Sequence, residues 1–249
     1  MSDHEKIERK ITGSITAEIH GELNEIESPL FAINWFDTRI AIIYHLYNLL
    51  AASRVFKIGG KALFKGGVQQ TISGNTDLAR DYLLVVNYPS GHRFLELLSD
   101  KLFQLMSVLR IAAVKRFSFV LHHRHGEPQL LPDSKSVIAP NDHYAVLQVR
   151  LAEQSNQEAP KFDFTQLEQL AQQHDSEVFF ASQVAGRVVL TKAQGTDADA
   201  DALPFITDVT VLIKSSTAKN VSDCFAADQV KNLLPVGADF FAAHTKRTM

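Results

Sequence analysis

The chain has a single cysteine, Cys224, in 249 residues. A lone thiol cannot close an intrachain disulfide, which fits a reducing compartment. Its neighbours Asp223 and Asp228 offer none of the electropositive setting that makes a thiol reactive. An excess of either charge is also missing: 25 Lys and Arg against 28 Asp and Glu leave a formal net charge of −3. The bases are scattered, so no nucleic-acid partner is expected. No apolar run reaches the length of a membrane span, and the opening MSDHEKIERK is charged where a secretory signal would be apolar. These absences point to a cytoplasmic protein with no membrane partner.

What is present is ordinary globular material, 45% hydrophobic and 21% charged. Residues 1–28 stand apart as an N-terminal arm. Ile7, Ile11, Ile15, Ile19 and Leu23 recur every four residues, a spacing that satisfies both the helical and the strand period and leaves the two open. Gly13 and Gly21 weaken a helix there.

From Pro29 the pattern is regular. PLFAINWF is an apolar run of strand length, and the following helix has apolar residues at Ile40, Ile43, Leu46 and Leu50. GGKALFKGGVQQTIS alternates as a strand after a glycine pair. DYLLVVNY is a buried-type strand, a two-part helix follows with Ser90 and Ser99 as N-caps, and KRFSFVLHH closes the set. After a linker at 125–141 the same order returns: HYAVLQVRL, a helix capped by Asp163 or Thr165, a long strand bulged near Gly186, LPFITDVTVLIK, a broken helix opened by Ser215 or Ser216, and ADFFAAHTK. Self-similarity at this period implies an internal duplication, with repeats at 29–124 and 142–249. The β-α-β-β-α-β order is that of a ferredoxin-like unit. The expected fold is therefore α+β: two tandem ferredoxin-like repeats that bury their sheet faces as an intrachain dimeric α/β-barrel.

Gly59, Gly60, Lys61, Gly66, Tyr88, Pro89, Ser90, Phe94 and Leu95 resemble the signature of a family of small, uncharacterised dimeric α/β-barrel proteins. That pattern runs Gly-Gly-Lys-Val-Leu-x-x-Gly, a strand, then Tyr-Pro-Ser-Arg-x-x-Phe-Leu. Gly91 stands where the family has its arginine. In the second repeat Lys214, Ser215 and Ser216 replace Tyr-Pro-Ser. The resemblance implies the barrel fold and no agreed reaction. The wider superfold includes cofactor-free monooxygenases, tandem haem enzymes and binding modules, and fold alone does not choose among them.

The chemistry-bearing motifs are mostly explained without chemistry. In LHHRHGEPQLLPD, His122 and His123 point to opposite faces of a strand while His123 and His125 share one. Two imidazoles fall short of a zinc set, so no metal is expected and the cluster reads as the end of a repeat. TDADADALPFITD places Asp197, Asp199, Asp201 and Asp208 at calcium-loop positions but has Ala202 where glycine is required. The glycines of KIGGKALFKGG lack the helix that a phosphate loop needs. No serine or cysteine has a base partner that sequence alone can place beside it.

Polar residues inside apolar strands are the more informative feature: Asn34, Asn87, Gln148 and Arg150 either satisfy one another or line a ligand cavity. His45 on the first helix, His92 after the Pro-Ser turn, and His174 at the end of the second-repeat helix complete the candidates. The position of His174 matches, by family resemblance, the axial ligand of tandem haem proteins, though the helix dipole alone favours a histidine there. The expectation is a small-molecule-binding or assembly module without a cofactor, holding a small apolar ligand between sheet and helices or using the barrel as an assembly unit, with a homo-oligomer as partner state. The alternative is a monooxygenase-like or haem enzyme using His45, His92 or His174.

Overall fold

The computed structural model describes residues 17–126, 142–151, 162–192 and 207–248. Among them are eight strands and seven α-helices, an α+β arrangement, and the registered strand pairs are antiparallel. In chain order they are α1 (Ala17–Glu25), β1 (Leu30–Thr38), α2 (Ala41–Lys57), β2 (Lys61–Gly74), β3 (Tyr82–Tyr88), α3 (Gly91–Ser99), α4 (Lys101–Ala113), β4 (Val114–Arg124), β5 (His143–Arg150), α5 (Phe164–Gln173), β6 (Glu177–Lys192), β7 (Val209–Ser215), α6 (Ala218–Cys224), α7 (Ala227–Leu233) and β8 (Asp239–Arg247). The order of strands and helices from β1 to β4 recurs from β5 to β8.

The described residues form two compact units, neither continuous in sequence. The first draws on the described residues within Met1–Phe64, Asp81–His123 and Ala185–Pro204; the second on those within Lys65–Arg80, Arg124–Val184 and Phe205–Met249. The long strands β2 and β6 each give one segment to either unit.

In the first unit the strand order is β2-β3-β1-β4-β6. Strand β1 lies between β3 and β4, with Phe31 opposite Asn87 and His122, and Trp35 opposite Leu83 and Ser118. Alternation puts Leu30, Ala32 and Phe36 into the core shared with the helices, while Phe31, Ile33 and Trp35 occupy the other face. Both faces are buried, which is why LFAINWF reads as a continuous apolar run.

His122 is fully buried on that second face, in line with Phe31. The strand includes His122 and His123 and ends at Arg124. His123 is half-buried, with its pKa lowered by burial. His125 has left the strand and stacks on Phe164, ring centroids 4.1 Å apart. Of the expected linker at 125–141, residues 127–141 lie outside the described residues.

In the second unit the order is β2-β8-β5-β7-β6. Ala145, Leu147 and Val149 of central β5 face the helices and pack with Leu167, Leu170, Val221, Val230 and Leu233. Most of the calcium-like segment lies outside the described residues. Its Asp208 is described, and its carboxylate accepts the Leu151 N–H at 2.6 Å.

Two of the expected caps form: Ser90 Oγ accepts the Arg93 N–H and Asp163 Oδ1 the Gln166 N–H. Two are displaced by a neighbour. Ser99 ends α3 and donates its hydroxyl to Leu95 O, leaving Asp100 to accept from Leu102 and Phe103 at the start of α4. Ser215 donates to Asp175 O, and Thr217 caps α6.

The period-four pattern of the arm resolves as helix at its described end. Helix α1 packs on α3, Leu23 is buried, and Ile26 O accepts the Gly91 N–H at 2.9 Å. A Cβ on Gly91 would stand 1.9 Å from Leu23 O. The arm therefore occupies the place that an arginine side chain would need at this position.

Candidate functional site

The site takes shape where α2 and α4 cover the sheet of the first unit. Of the apolar positions Ile40, Ile43, Leu46 and Leu50 at helical spacing, Ile43 packs against the core, while Ile40, Leu46 and Leu50 are 41%, 50% and 38% exposed. The buried stripe of α2 is Tyr44, Tyr47 and Ala51. Tyrosines fill this role because each carries a large apolar ring for packing and a hydroxyl that can reach a polar partner at the layer edge.

Tyr44 packs on Phe36 at 4.8 Å between ring centroids, Phe36 stacks on Tyr82 at 5.8 Å, and Tyr44 lies 6.1 Å from Tyr47. Tyr88 meets Phe94 at 5.1 Å, and Phe94 stacks on Phe119 at 5.7 Å. Arg110 of α4 lies over Phe117, 4.3 Å from the ring centroid. The result is an aromatic layer edged by hydroxyls, with one guanidinium at its border.

Burial pushes the Tyr44 and Tyr88 hydroxyls well above the ordinary phenol range. The neighbouring Tyr47 adds to both shifts and Arg110 only partly opposes them. Both hydroxyls are therefore protonated at neutral pH and can donate hydrogen bonds, but neither can take up a proton. Asn48, one turn beyond Tyr44, acts on the Tyr44 hydroxyl in the opposite sense. Its buried amide Nδ2 is set beside that hydroxyl.

The expected candidates fall around this layer in different ways. Asn34 is on the same sheet face, between Ala32 and Phe36, and its amide is spent on Ala32 O at 3.3 Å and Leu84 O at 3.2 Å. Asn87 is on the opposite face and donates to Leu30 O at 3.4 Å. His45 is exposed on the outer side of α2. His92 is at the surface of α3, its Nδ1 3.2 Å from Asn24 Oδ1 and its Nε2 3.6 Å from Glu96.

In the second unit Gln148 is fully buried on the face away from the helices, and its Oε1 accepts the Thr210 hydroxyl at 2.9 Å. Its Nε2 is buried without a partner. Arg150 forms an ion pair with Asp239, its ladder neighbour, at 3.2 Å. His174 caps the C-terminus of α5. Gln172, Gln173 and Asp175 around it are exposed. Cys224 is buried in the core, with its thiol pushed up to about 12 by desolvation.

Sequence reading missed Tyr44, Tyr47, Asn48 and Arg110. The one available signal was the i, i+3, i+4 spacing of Tyr44, Tyr47 and Asn48, which competes with a longer aliphatic stripe on the same helix.

No protein-family model matches the chain, and no curated protein matches it significantly. Similar solved structures include a protein of unknown function from Rhodopseudomonas palustris, 22% identical over 43% of this chain and 91% of that one, with a TM-score of 0.39. An anthrone oxidase-like protein is 9% identical over 88% and 93%, TM-score 0.40. A chlorite dismutase variant from Candidatus Nitrospira defluvii is 10% identical over 89% and 94%, TM-score 0.41.

Proposed function

We propose that the chain is a small-molecule-binding protein built as two ferredoxin-like repeats forming an intrachain dimeric α/β-barrel. The recurrence of element order supports the architecture. The ligand is held between the first unit's sheet and helices α2 and α4. The observation that carries this reading is the buried Asn48 amide, set beside the Tyr44 hydroxyl at the border of an aromatic layer. Apolar walls with a few placed polar groups are the usual make-up of a ligand site.

A flat, largely apolar molecule with a carbonyl or hydroxyl oxygen would stack on the rings and accept from Asn48. Binding is favoured over oxygenase chemistry because Tyr44 and Tyr88 stay protonated and supply no base. Native mass spectrometry of freshly purified protein tests the reading. A retained organic mass is expected, reduced about tenfold in occupancy by Asn48→Leu, corresponding to the roughly 1.4 kcal/mol of one hydrogen bond. A chain with no retained mass, and no apolar ligand bound on addition, would sink it.

A second reading, an assembly unit, has its own support. Of the nine large apolar side chains exposed among the described residues, eight lie on α2, its N-cap or α4. The occupant that fits is a second copy of the chain, whose α2 offers the same alternating spacing of apolar residues at Ile42, Leu46 and Leu49.

A further inference from the structure

One pair of side chains in the second unit has the geometry of a nucleophile and its base. Ser222 on α6 and His244 on β8 meet with Oγ and Nε2 2.7 Å apart. A helical serine commonly returns its hydroxyl to the carbonyl four residues back; this one bonds across to the sheet. Both residues are half-buried and so within reach of a small reactant.

A neutral His244 has one nitrogen that accepts a proton and one that carries it. Burial lowers its pKa, and the nearby His143 lowers it further, so the imidazole is unprotonated at neutral pH. In the tautomer with the ring proton on Nδ1, Nε2 accepts from Ser222. Gln70 stands directly opposite His244 in the β2–β8 ladder, and paired residues share a sheet face. Gln70 is exposed on the face that carries the pair, from which its amide would reach a developing oxyanion. The charged neighbours on α6, Lys219 and Asp223, are paired with each other.

We propose that Ser222 and His244 form an acyl-transfer dyad acting on small activated carboxylic esters, with Gln70 as oxyanion donor. Ser222 Oγ attacks the ester carbonyl carbon while its proton passes to His244 Nε2. The tetrahedral intermediate collapses by breaking the bond to the leaving alkoxide, which takes the proton from His244. Water, deprotonated by the same nitrogen, then hydrolyses the acyl-serine and returns the enzyme. No oxidant, metal or cofactor enters the balance.

The test uses the full chain with a fluorophosphonate probe and with p-nitrophenyl acetate. Intact-mass measurement is expected to show one adduct, mapped to the Ser222 peptide, and the ester a stoichiometric burst. Labelling should vanish in Ser222→Ala and fall at least about tenfold in His244→Asn and in Gln70→Leu, the latter at unchanged melting temperature. A folded wild-type chain that takes no label overturns the proposal, as does an adduct that persists in Ser222→Ala. If Ser222→Ala does not fold, Ser222→Thr and the mapped position of the wild-type adduct decide instead. Labelling at Ser222 and the mass retained by freshly purified protein are read independently, so failure here and failure of the binding reading are separable.

Discussion

Gly91 shows how one residue can decide what an extra segment is able to do. Its Cα lies so close to the Leu23 carbonyl that no Cβ fits, and its N–H holds the Ile26 carbonyl. Gly91→Ala is expected to destabilise the chain by about 1–3 kcal/mol, or to release α1 from α3, because overpacking against backbone cannot be relieved by a rotamer change. Urea denaturation read by circular dichroism, with limited proteolysis between Glu25 and Pro29, separates the two outcomes. A variant as stable and as protected as the wild type would mean that the contact is soft.

At the scale of elements, α2 is apolar on both sides. Its tyrosine stripe is buried in the unit and its aliphatic stripe is not. A helix apolar all round is normally covered all round, which gives the assembly reading its prediction. Leu49→Glu is expected to shift the chain to a smaller species by light scattering while leaving its melting temperature within about 0.5 kcal/mol of stability. A wild type that is already monomeric at high concentration would remove the case for a second copy.

The same helix shows where sequence reading stops. Strands such as LFAINWF and YLLVVNY were legible because a length of seven to nine residues and continuous burial leave few alternatives. On α2 the pattern offered two stripes of similar weight, and periodicity cannot say which one meets the sheet. The site was hidden by that ambiguity: the aliphatic stripe looked like core, so the tyrosines looked incidental. The polar strand residues Asn34, Asn87 and Gln148 were visible, but which carbonyl or hydroxyl each would meet depends on strand pairing, which no local pattern encodes. The same applies to Ser222 and His244, 22 residues apart in sequence.

At the scale of the molecule, neither compact unit is a continuous stretch of chain. Residues 1–124 would carry the Lys65–Gly74 part of β2 without β8, and would lack the β6 segment of the first unit. Expressed separately, 1–124 and 142–249 are expected to be insoluble or poorly ordered, and co-expression should recover soluble, paired material. A monomeric 1–124 fragment with a cooperative melt would show that the first unit folds without that segment.

The β2–β8 ladder pairs Gly74 with Phe241 and Gly66 with Arg247, residues made 167 and 181 positions apart. At the ribosome's roughly 5–20 residues per second, that half of β2 waits on the order of 10–35 s for β8 to emerge. For that interval it is an open strand edge, the kind of surface on which nascent chains stick to one another. KGGVQQTISG is glycine-rich and polar for a strand, a composition poorly suited to adhesive pairing. The sequence of this strand thus matches the needs of the growing chain as well as those of the finished fold.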